Sequence, residues 1–210
     1  MADRSGGEEA LRTDEHEDPS LAAPSIHETV ARRPASHRGR NAIVFAAVAV
    51  AWVVFDYVTK RLLDGPHMPG DSIAGPFLGL FRLRLVHNTG AAWGMFGDAT
   101  TVLAFLSLVV CIVLVVYLFA FAPQANLGQA IGLSLVVAGG IGNALDRFMQ
   151  GYVVDFIDLT FMDFPVFNVA DIGVTCGFII FALSLMIAWK HEGQEISDGD
   201  GALSKEEPES

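Results

Sequence analysis

Four long apolar stretches divide this chain and limit what it can fold into. They cover residues 42–58, 101–122, 128–145 and 172–189. The second stretch contains no charged residue, and at about 1.5 Å rise per residue a helix of this length crosses a hydrocarbon core of about 30 Å. The first stretch is shorter and carries Asp56, so a buried helix of a soluble protein is an alternative for it, although four such helices seldom occur together. We therefore predict an all-α membrane protein with four transmembrane helices.

The composition agrees with a membrane-embedded centre between two polar ends. The chain has 210 residues, of which 52% are hydrophobic, and a mean hydropathy of +0.44, which is high for a soluble domain. Residues 1–40 carry a net charge of −2 and residues 190–210 one of −5, out of −11 in total. Segments of this composition cannot bury enough apolar surface to become ordered. We predict disordered tails at 1–40 and 190–210 and a transmembrane domain over 41–189.

Basic residues near the apolar stretches predict the orientation in the membrane. Arg38 and Arg40 precede the first stretch and Lys190 follows the fourth, which places both termini in the cytoplasm. A polar segment of about forty residues comes before the first stretch and no small-residue cleavage site follows it, so we interpret it as a retained anchor and not as a cleaved signal peptide. The basic residues on the opposite side are expected to pair with neighbouring acids, which weakens their influence. The loop over 147–170 is then extracytoplasmic.

Several classes of function are disfavoured by what the sequence lacks. Cys111 and Cys176 fall within predicted helices, where they act as small packing residues and form neither a disulfide framework nor a Cys-rich metal site. The six histidines include no HExxH and no pair at ligand spacing, which disfavours a metalloprotease. There is no GxSxG elbow, no Walker A motif and no basic patch interleaved with aromatic residues. We therefore expect no metal, no cofactor and no nucleic-acid partner.

Two aspartates stand out near the predicted helices. Asp155 lies in VVDF at 153–156, and Asp171 lies in FNVAD at 167–171, just before the fourth apolar stretch. An ionisable group at membrane depth costs about 2.5–3.5 kcal/mol on insertion scales, so such groups persist mainly where they have a function. An N-cap role at the fourth helix would explain Asp171 alone but would leave Asp155 without a reason. Two acids without metal ligands favour acid–base hydrolysis at the extracytoplasmic face.

The segment between the first two helices predicts a small β-containing subdomain. Residues 81–85 alternate apolar and basic, as in a half-buried strand. Either Arg82 and Arg84 meet phosphates while the apolar side lies against lipid, or the segment is a plain edge strand. The following residues 86–94 resemble a turn in which Asn88 offers a two-sided amide and small residues permit close backbone approach.

The third helix combines small residues with a polar end. Gly128 and Gly132 are four residues apart, as are Ala138 and Gly142, which favours close helix packing. At the outer end, three polar residues fall within one helical turn: Asn143, Asp146 and Arg147. This cluster either orients a site or forms an ion pair where the helix reaches the membrane interface.

Five motifs in this order resemble the lipoprotein signal peptidase (signal peptidase II) family. They are FDYVTK at 55–60, HNTGAAWGMF at 87–96, GNALDRF at 142–148, VVDF at 153–156 and FNVAD at 167–171. The resemblance covers residues 42–189. The family consists of integral membrane aspartic endopeptidases that remove the signal peptide from bacterial prolipoproteins once the substrate cysteine carries a diacylglyceryl group.

The resemblance implies a set of site residues. The catalytic dyad corresponds to Asp155 and Asp171. The supporting polar residues correspond to Asp56, Lys60, Asn88, Gly90, Asn143, Asp146, Arg147 and Asn168. Cleavage on the N-terminal side of a lipidated cysteine is implied, with prolipoproteins and membrane lipid as partners, and we expect a monomer. Asp158 and Asp163 are further acids near the dyad to which the resemblance assigns no role.

Two other functions fit parts of the sequence. The intramembrane acids are also compatible with a proton-coupled transporter or a channel subunit, because such acids often mark ion paths. Against this, they gather at one face of the membrane and do not form a relay across it. An inactive scaffold that holds lipidated peptides without cutting them is the third alternative.

Overall fold

The computed structural model describes residues 38–90 and 99–203. The main part of the predicted N-terminal tail (1–37), the end of the C-terminal tail (204–210) and residues 91–98, which include the last six residues of the second motif, lie outside these ranges. Within them are four helices, which are α1 at Arg38–Asp64, α2 at Thr100–Val116, α3 at Leu127–Gln150 and α4 at Val169–Leu203. A π-helical segment, Tyr117–Phe121, continues α2. All four helices are long and apolar enough to cross a membrane, which confirms the predicted fold class.

The helices differ in how much of their surface is covered by protein. In the most apolar part of each helix, 61% of the residues of α3 are buried, against 6% in α1, 17% in α2 and 11% in α4. The third helix packs against the other three and forms the centre of the bundle. The other helices expose large apolar side chains, as expected of surfaces that face lipid.

Local signals fix both ends of α3. Before its first turn, the side chain of Asn126 accepts a hydrogen bond from the backbone N–H of Gln129, and the Gln129 side chain accepts one from the Asn126 backbone. This reciprocal cap satisfies two donors that the helix leaves unpaired. At the other end, Gly151 adopts a left-handed conformation with φ 81°, which ends the helix without strain.

Glycines let α3 and α4 approach closely, as their spacing predicts. A Cβ on Gly132 would lie 2.6 Å from the backbone nitrogen of Phe181, and one on Gly177 would lie 2.6 Å from the carbonyl oxygen of Gly132. A Cβ on Gly142 would lie 2.5 Å from Asp56 Oδ2, so this glycine makes room for a carboxylate of α1. Small residues therefore serve both helix packing and the polar cluster described below.

A three-stranded antiparallel sheet lies at the end of the bundle where α1 and α3 stop and α4 begins. Its strands are β1 at Ser72–Phe77, β2 at Phe81–Asn88 and β3 at Val153–Leu159, in the order β1-β2-β3. The strand predicted at 81–85 is confirmed as part of β2. The other two strands were not predicted, and β3 comes from the segment between α3 and α4. The register places Asn88 opposite Val153, which brings the second motif beside the fourth.

Helix ends differ from the predicted ones. The predicted ranges 42–58 and 128–145 stop where polar residues begin, but α1 continues to Asp64 and α3 to Gln150. These polar residues remain helical because other protein groups pair with them. The fourth helix continues to Leu203, so residues 190–203, which we expected in a disordered tail, are helical. An established helix gains one hydrogen bond per added residue with no further nucleation cost.

Candidate active site

Asp155 is buried on β3 and held by two amides. Its side chain accepts hydrogen bonds from Asn88 Nδ2 at 2.8 Å and from Asn168 Nδ2 at 2.7 Å. The residue is only 2% exposed. Strand pairing positions the first amide, because Asn88 ends β2 next to β3. Each carboxylate oxygen therefore has a donor, and the carboxyl group has a fixed orientation.

Asp171 lies in the first turn of α4 and is fixed by the cap of that helix. Its Oδ2 accepts the backbone N–H of Asn168 at 3.1 Å, while Asn168 Oδ1 accepts the backbone N–H of Asp171 at 3.1 Å. The capping role considered for Asp171 is thus shared with Asn168, which precedes the helix. The second oxygen of Asp171, Oδ1, accepts Asn143 Nδ2 at 2.8 Å. One oxygen serves the helix end and the other joins a polar network.

Two asparagines link the aspartates. Asn168 Nδ2 donates to Asp155 and also lies 3.0 Å from Asn143 Oδ1, while Asn143 Nδ2 donates to Asp171. Both aspartates line one cavity of about 510 Å³, together with Asn88, Asn143 and Arg147. The fold therefore brings together two acids that are separated in sequence and that come from a strand and a helix.

The electrostatic surroundings affect the protonation of Asp155. Burial, and after it the negative charge of Asp171, raise the pKa of Asp155 from 3.8 to about 7, although hydrogen bonds from Asn88 and Asn168 act in the opposite direction. Desolvation disfavours the charged carboxylate, and a second carboxylate nearby disfavours it further. Asp155 can accordingly hold or release a proton near neutral pH.

A buried lysine connects three helices behind the aspartates. Lys60 Nζ lies 2.8 Å from Asp56 Oδ2, 2.9 Å from Asp146 Oδ2 and 3.0 Å from Asn143 Oδ1. Three acceptors match the three donors of an ammonium group. The second oxygen of Asp56 accepts the backbone N–H of Ala170 at 2.8 Å, at the start of α4. This cluster fixes α1, α3 and α4 relative to one another beside the dyad.

Arg147 joins α3 to the second motif. It donates to the carbonyl oxygens of Asn143 and Gly90, both at 3.3 Å, and Gly90 is held in turn by a hydrogen bond to Asn88 Oδ1 at 3.0 Å. The Arg147 Nε is buried and has no hydrogen-bond partner among the described residues. All ten predicted site residues thus meet in one region. The prediction for Ala91–Gly94, the rest of that turn, lies outside the described residues.

Comparisons with known proteins identify the family. The family profile described as Signal peptidase (SPase) II matches residues 48–187. Lipoprotein signal peptidases of Staphylococcus aureus, among them those of strains JH9 and Newman, are 38% identical over 143 residues, which is 66% of this chain and 85% of theirs. The chain belongs to the signal peptidase II family. It is therefore a multi-pass bacterial membrane protein and a signal-peptide peptidase, which argues against the transporter alternative.

Solved structures agree with this family assignment. A bacterial membrane enzyme solved by the in meso method at 2.3 Å is 32% identical, with a TM-score of 0.63 and coverage of 79% of this chain and 93% of its own. A second bacterial membrane enzyme, solved by the same method at 1.9 Å, is 35% identical, with a TM-score of 0.61 and coverage of 67% and 91%.

Sequence reasoning missed a contact between His87 and Asp64 beside this signal peptidase site. His87 Nε2 lies 2.6 Å from Asp64 Oδ1, and its ring stacks on Tyr152 with centroids 3.8 Å apart. His87 immediately precedes Asn88, which donates a hydrogen bond to Asp155. The contact therefore joins β2 to the end of α1 beside the site. The position of His87 as the first residue of HNTGAAWGMF was a signal, but nothing in the sequence pointed to Asp64 as the partner. Asp158, which had no assigned role, pairs with Arg82 and Arg84.

Proposed function

We propose that this protein is an aspartic endopeptidase that cleaves the signal peptide from diacylglyceryl-modified prolipoproteins, on the N-terminal side of the lipidated cysteine. The observation that carries the proposal is the meeting of Asp155 and Asp171 at one cavity, each held by an amide of the same network. The relatives named lipoprotein signal peptidase support the substrate class.

The chemistry requires one carboxyl group in each protonation state. Two neighbouring carboxylates cannot both ionise easily, so the pair holds one proton between its members. The ionised member takes a proton from a water molecule, which attacks the scissile carbonyl. The protonated member polarises that carbonyl, and the pair then delivers a proton to the leaving amine. The raised pKa of Asp155 fits a dyad that retains its proton near neutral pH.

Neighbouring residues orient the dyad and the peptide. Asn88, Asn143 and Asn168 each donate an N–H to a carboxylate oxygen, which limits carboxyl rotation. Arg147 lines the cavity and donates to the Gly90 carbonyl oxygen, so it holds the second motif beside the dyad. Lys60, which is 2% exposed, acts behind the dyad as a positioning residue.

Three features of the proposal concern the membrane. Both termini lie in the cytoplasm and the dyad lies at the extracytoplasmic face, as the basic residues around the apolar stretches predict. The diacylglyceryl chains stay in the bilayer beside the exposed apolar helix surfaces while the peptide enters the cavity. The proposed enzyme is a monomer, and every described residue of the site belongs to one chain.

Substitution of the dyad tests the reaction type. Asp155→Asn and Asp171→Asn keep the shape of the side chain but remove the shared proton, so cleavage of a purified diacylglyceryl prolipoprotein should fall by at least about 100-fold with little change in substrate binding. The matched control is Asp163→Asn, an exposed acid in the segment between them, which should retain full activity. Undiminished cleavage by either dyad variant would refute the aspartic mechanism.

Lipidation of the substrate is tested separately. Wild-type enzyme in phospholipid vesicles receives the same precursor with and without the diacylglyceryl group. We expect the lipidated form to be cleaved several-fold faster at equal concentration, because the acyl chains place the peptide at the bilayer surface. Equal rates would contradict the substrate proposal and leave the dyad untouched.

A further inference from the structure

The far end of the sheet carries an exposed apolar surface, here called the apolar tip. It comprises the β1–β2 turn and the residues after β3, and its large side chains are Phe77, Leu78, Leu80, Phe81, Phe161 and Met162. Their exposed fractions range from 36% to 95%. Thr160 joins the two parts by donating from Oγ1 to the Gly79 carbonyl at 2.6 Å and from its backbone N–H to the Leu80 carbonyl at 3.0 Å. The tip is therefore one continuous surface.

The exposure and the backbone conformation of Leu78 have no explanation within the protein alone. It is 95% exposed and has a backbone φ of 51°, a left-handed conformation that glycine or asparagine adopts more easily. A leucine here neither packs against protein nor suits the turn. Contact with an apolar environment would account for it, because exposed apolar patches of this kind mark interaction sites.

Two arginines next to the tip are held by one carboxylate. Arg82 Nε and Arg84 Nε each lie 2.8 Å from Asp158 Oδ2, and Asp158 is 6% exposed. The guanidinium side chains themselves remain 44% and 39% exposed. One negative charge against two positive charges leaves a net charge of +1 on two neighbouring guanidinium groups. Paired guanidinium groups suit the oxygens of a phosphate.

The tip and the arginines are parts of the same strand pair. Phe81 pairs with Phe77 across the two strands, Arg82 follows Phe81, and a Cβ on Gly75 would touch both Arg82 and Phe77. The sheet is joined to the membrane-spanning bundle at three places, since β1 follows α1, β3 follows α3 and α4 follows β3. Apolar side chains beside exposed cations at this position match the interfacial zone of a bilayer, where acyl chains meet headgroups.

We propose that the apolar tip inserts into the bilayer interface and that Arg82 and Arg84 bind the phosphodiester of an anionic phospholipid headgroup. The partner is the leaflet at this end of the bundle, because the tip is continuous with a chain that already crosses that membrane. The proposal goes beyond the peptidase reaction and does not depend on the chemistry of the dyad. Its role is to hold the sheet, and with it Asn88, against the membrane surface.

A fluorescent label at the tip tests the proposal. Leu78→Cys is introduced after Cys111→Ala and Cys176→Ala, and an environment-sensitive dye is attached to the full chain in phosphatidylcholine vesicles with or without phosphatidylglycerol. We expect nitroxide groups on the lipids to quench the dye several-fold more than aqueous iodide does, and phosphatidylglycerol to increase the lipid quenching. Stronger quenching by iodide than by the lipids would overturn the proposal. Self-quenching of the dye that increases with protein density, without quenching by the lipids, would also overturn it and would indicate that the tip contacts a second copy of the chain.

Charge variants test the headgroup site. Arg82→Gln with Arg84→Gln and Asp158→Asn removes the cluster without leaving an unpaired buried charge, and it should abolish the increase caused by phosphatidylglycerol. Arg82→Gln alone keeps the Arg84–Asp158 pair, so it serves if the triple variant does not fold, and it should weaken the increase. Arg61→Gln removes an exposed arginine of α1 and should leave the signal unchanged.

Two outcomes would overturn the assignment of the headgroup site to the arginines. The first is that the increase caused by phosphatidylglycerol persists in the triple variant or, if that variant does not fold, persists at full size in Arg82→Gln. The second is that the increase disappears when inorganic phosphate replaces chloride at equal ionic strength, since the site would then bind the dissolved anion and not a lipid headgroup.

Discussion

The second and third helices differ in hydropathy and in how much of their surface other helices cover. The most apolar part of α2 has a mean hydropathy of 3.1 and is 17% buried, whereas that of α3 has 1.4 and is 61% buried. Protein replaces lipid around α3, so this helix can carry Asn143, Asp146 and Arg147 where α2 carries no charge at all. In this bundle the least hydrophobic span carries part of the polar site, and the most hydrophobic span belongs to the exposed apolar surface of the bundle.

The largest expected effect comes from the lysine that α3 helps to enclose. Lys60→Met leaves Asp56 and Asp146 buried without their cation, and removing one partner of a buried pair destabilises by about 3–5 kcal/mol. We expect unfolding of the purified protein at markedly lower denaturant concentration in mixed micelles. Arg61→Met, at the exposed neighbouring position, should change stability by less than about 0.5 kcal/mol. Equal effects of the two variants would show that the buried cluster does not stabilise the bundle.

A matched pair of leucines compares the two helices directly. Leu133 of α3 is 2% exposed, and Leu106 of α2 is 57% exposed. Leu133→Ala should cost about 2–5 kcal/mol because it leaves a cavity between helices, whereas lipid refills the space left by Leu106→Ala, which should cost less than about 0.5 kcal/mol. Denaturant titration of both variants in the same micelles measures the difference. A larger effect at Leu106 would reverse the comparison.

Glycine contacts give a smaller effect. Gly132→Ala places a methyl group against the backbone of α4 and should destabilise the protein by about 1–3 kcal/mol through overpacking. Gly39→Ala, in α1, meets nothing within 4 Å and should have no such effect. Thermal unfolding in detergent distinguishes the two. If both variants unfolded at the wild-type temperature, the close approach of α3 and α4 would be incorrect.

The smallest effect, counted per pH unit, is a decrease in stability with rising pH that comes from Asp155 at the polar end of the molecule. Because the pKa of Asp155 is 3.8 when unfolded and about 7 when folded, the folded state holds a proton that the unfolded state has lost within this window. Stability contributed by this group is full below about pH 4 and decreases as pH rises to about 7, by at most about 1.4 kcal/mol per pH unit. Asp155→Asn should lack this decrease. Parallel stability curves for the two proteins from pH 4 to 8 would contradict the raised pKa.

The same contrast explains what the sequence could predict. Hydropathy located all four helices, because the three that face lipid are strongly apolar and even the enclosed α3 keeps a mean hydropathy of 1.4. It placed the ends of α1 and α3 too early, because Lys60 and Asp146 are charged in sequence but neutralise each other between the two helices. The residues that the motifs single out lie close together in the structure. The strand nature of β3 was missed, since VVDF is too short to show a period without knowledge of β2 beside it.

Sequence patterns did not predict which charged residues pair with each other. We expected basic residues to pair with neighbouring acids without assigning the pairs, and Lys60 does pair with Asp56, one helical turn away. Asp64 instead pairs with His87, and Arg82 and Arg84 converge on Asp158. These contacts join residues far apart in the chain, so only the strand register and the helix arrangement bring them together. Local spacing rules therefore account for the pair within one helix and not for those between elements.

The pairing of Lys60 with Asp56 within α1 has a consequence for biogenesis. The first helix leaves the ribosome long before α3 can provide Asp146, so it must enter the bilayer without its later partner. Because its cation and anion lie one turn apart on the same helix, they can neutralise each other during insertion. The newly made chain thus brings its own counter-ion into the membrane, and the enzyme can be assembled helix by helix in the order of synthesis.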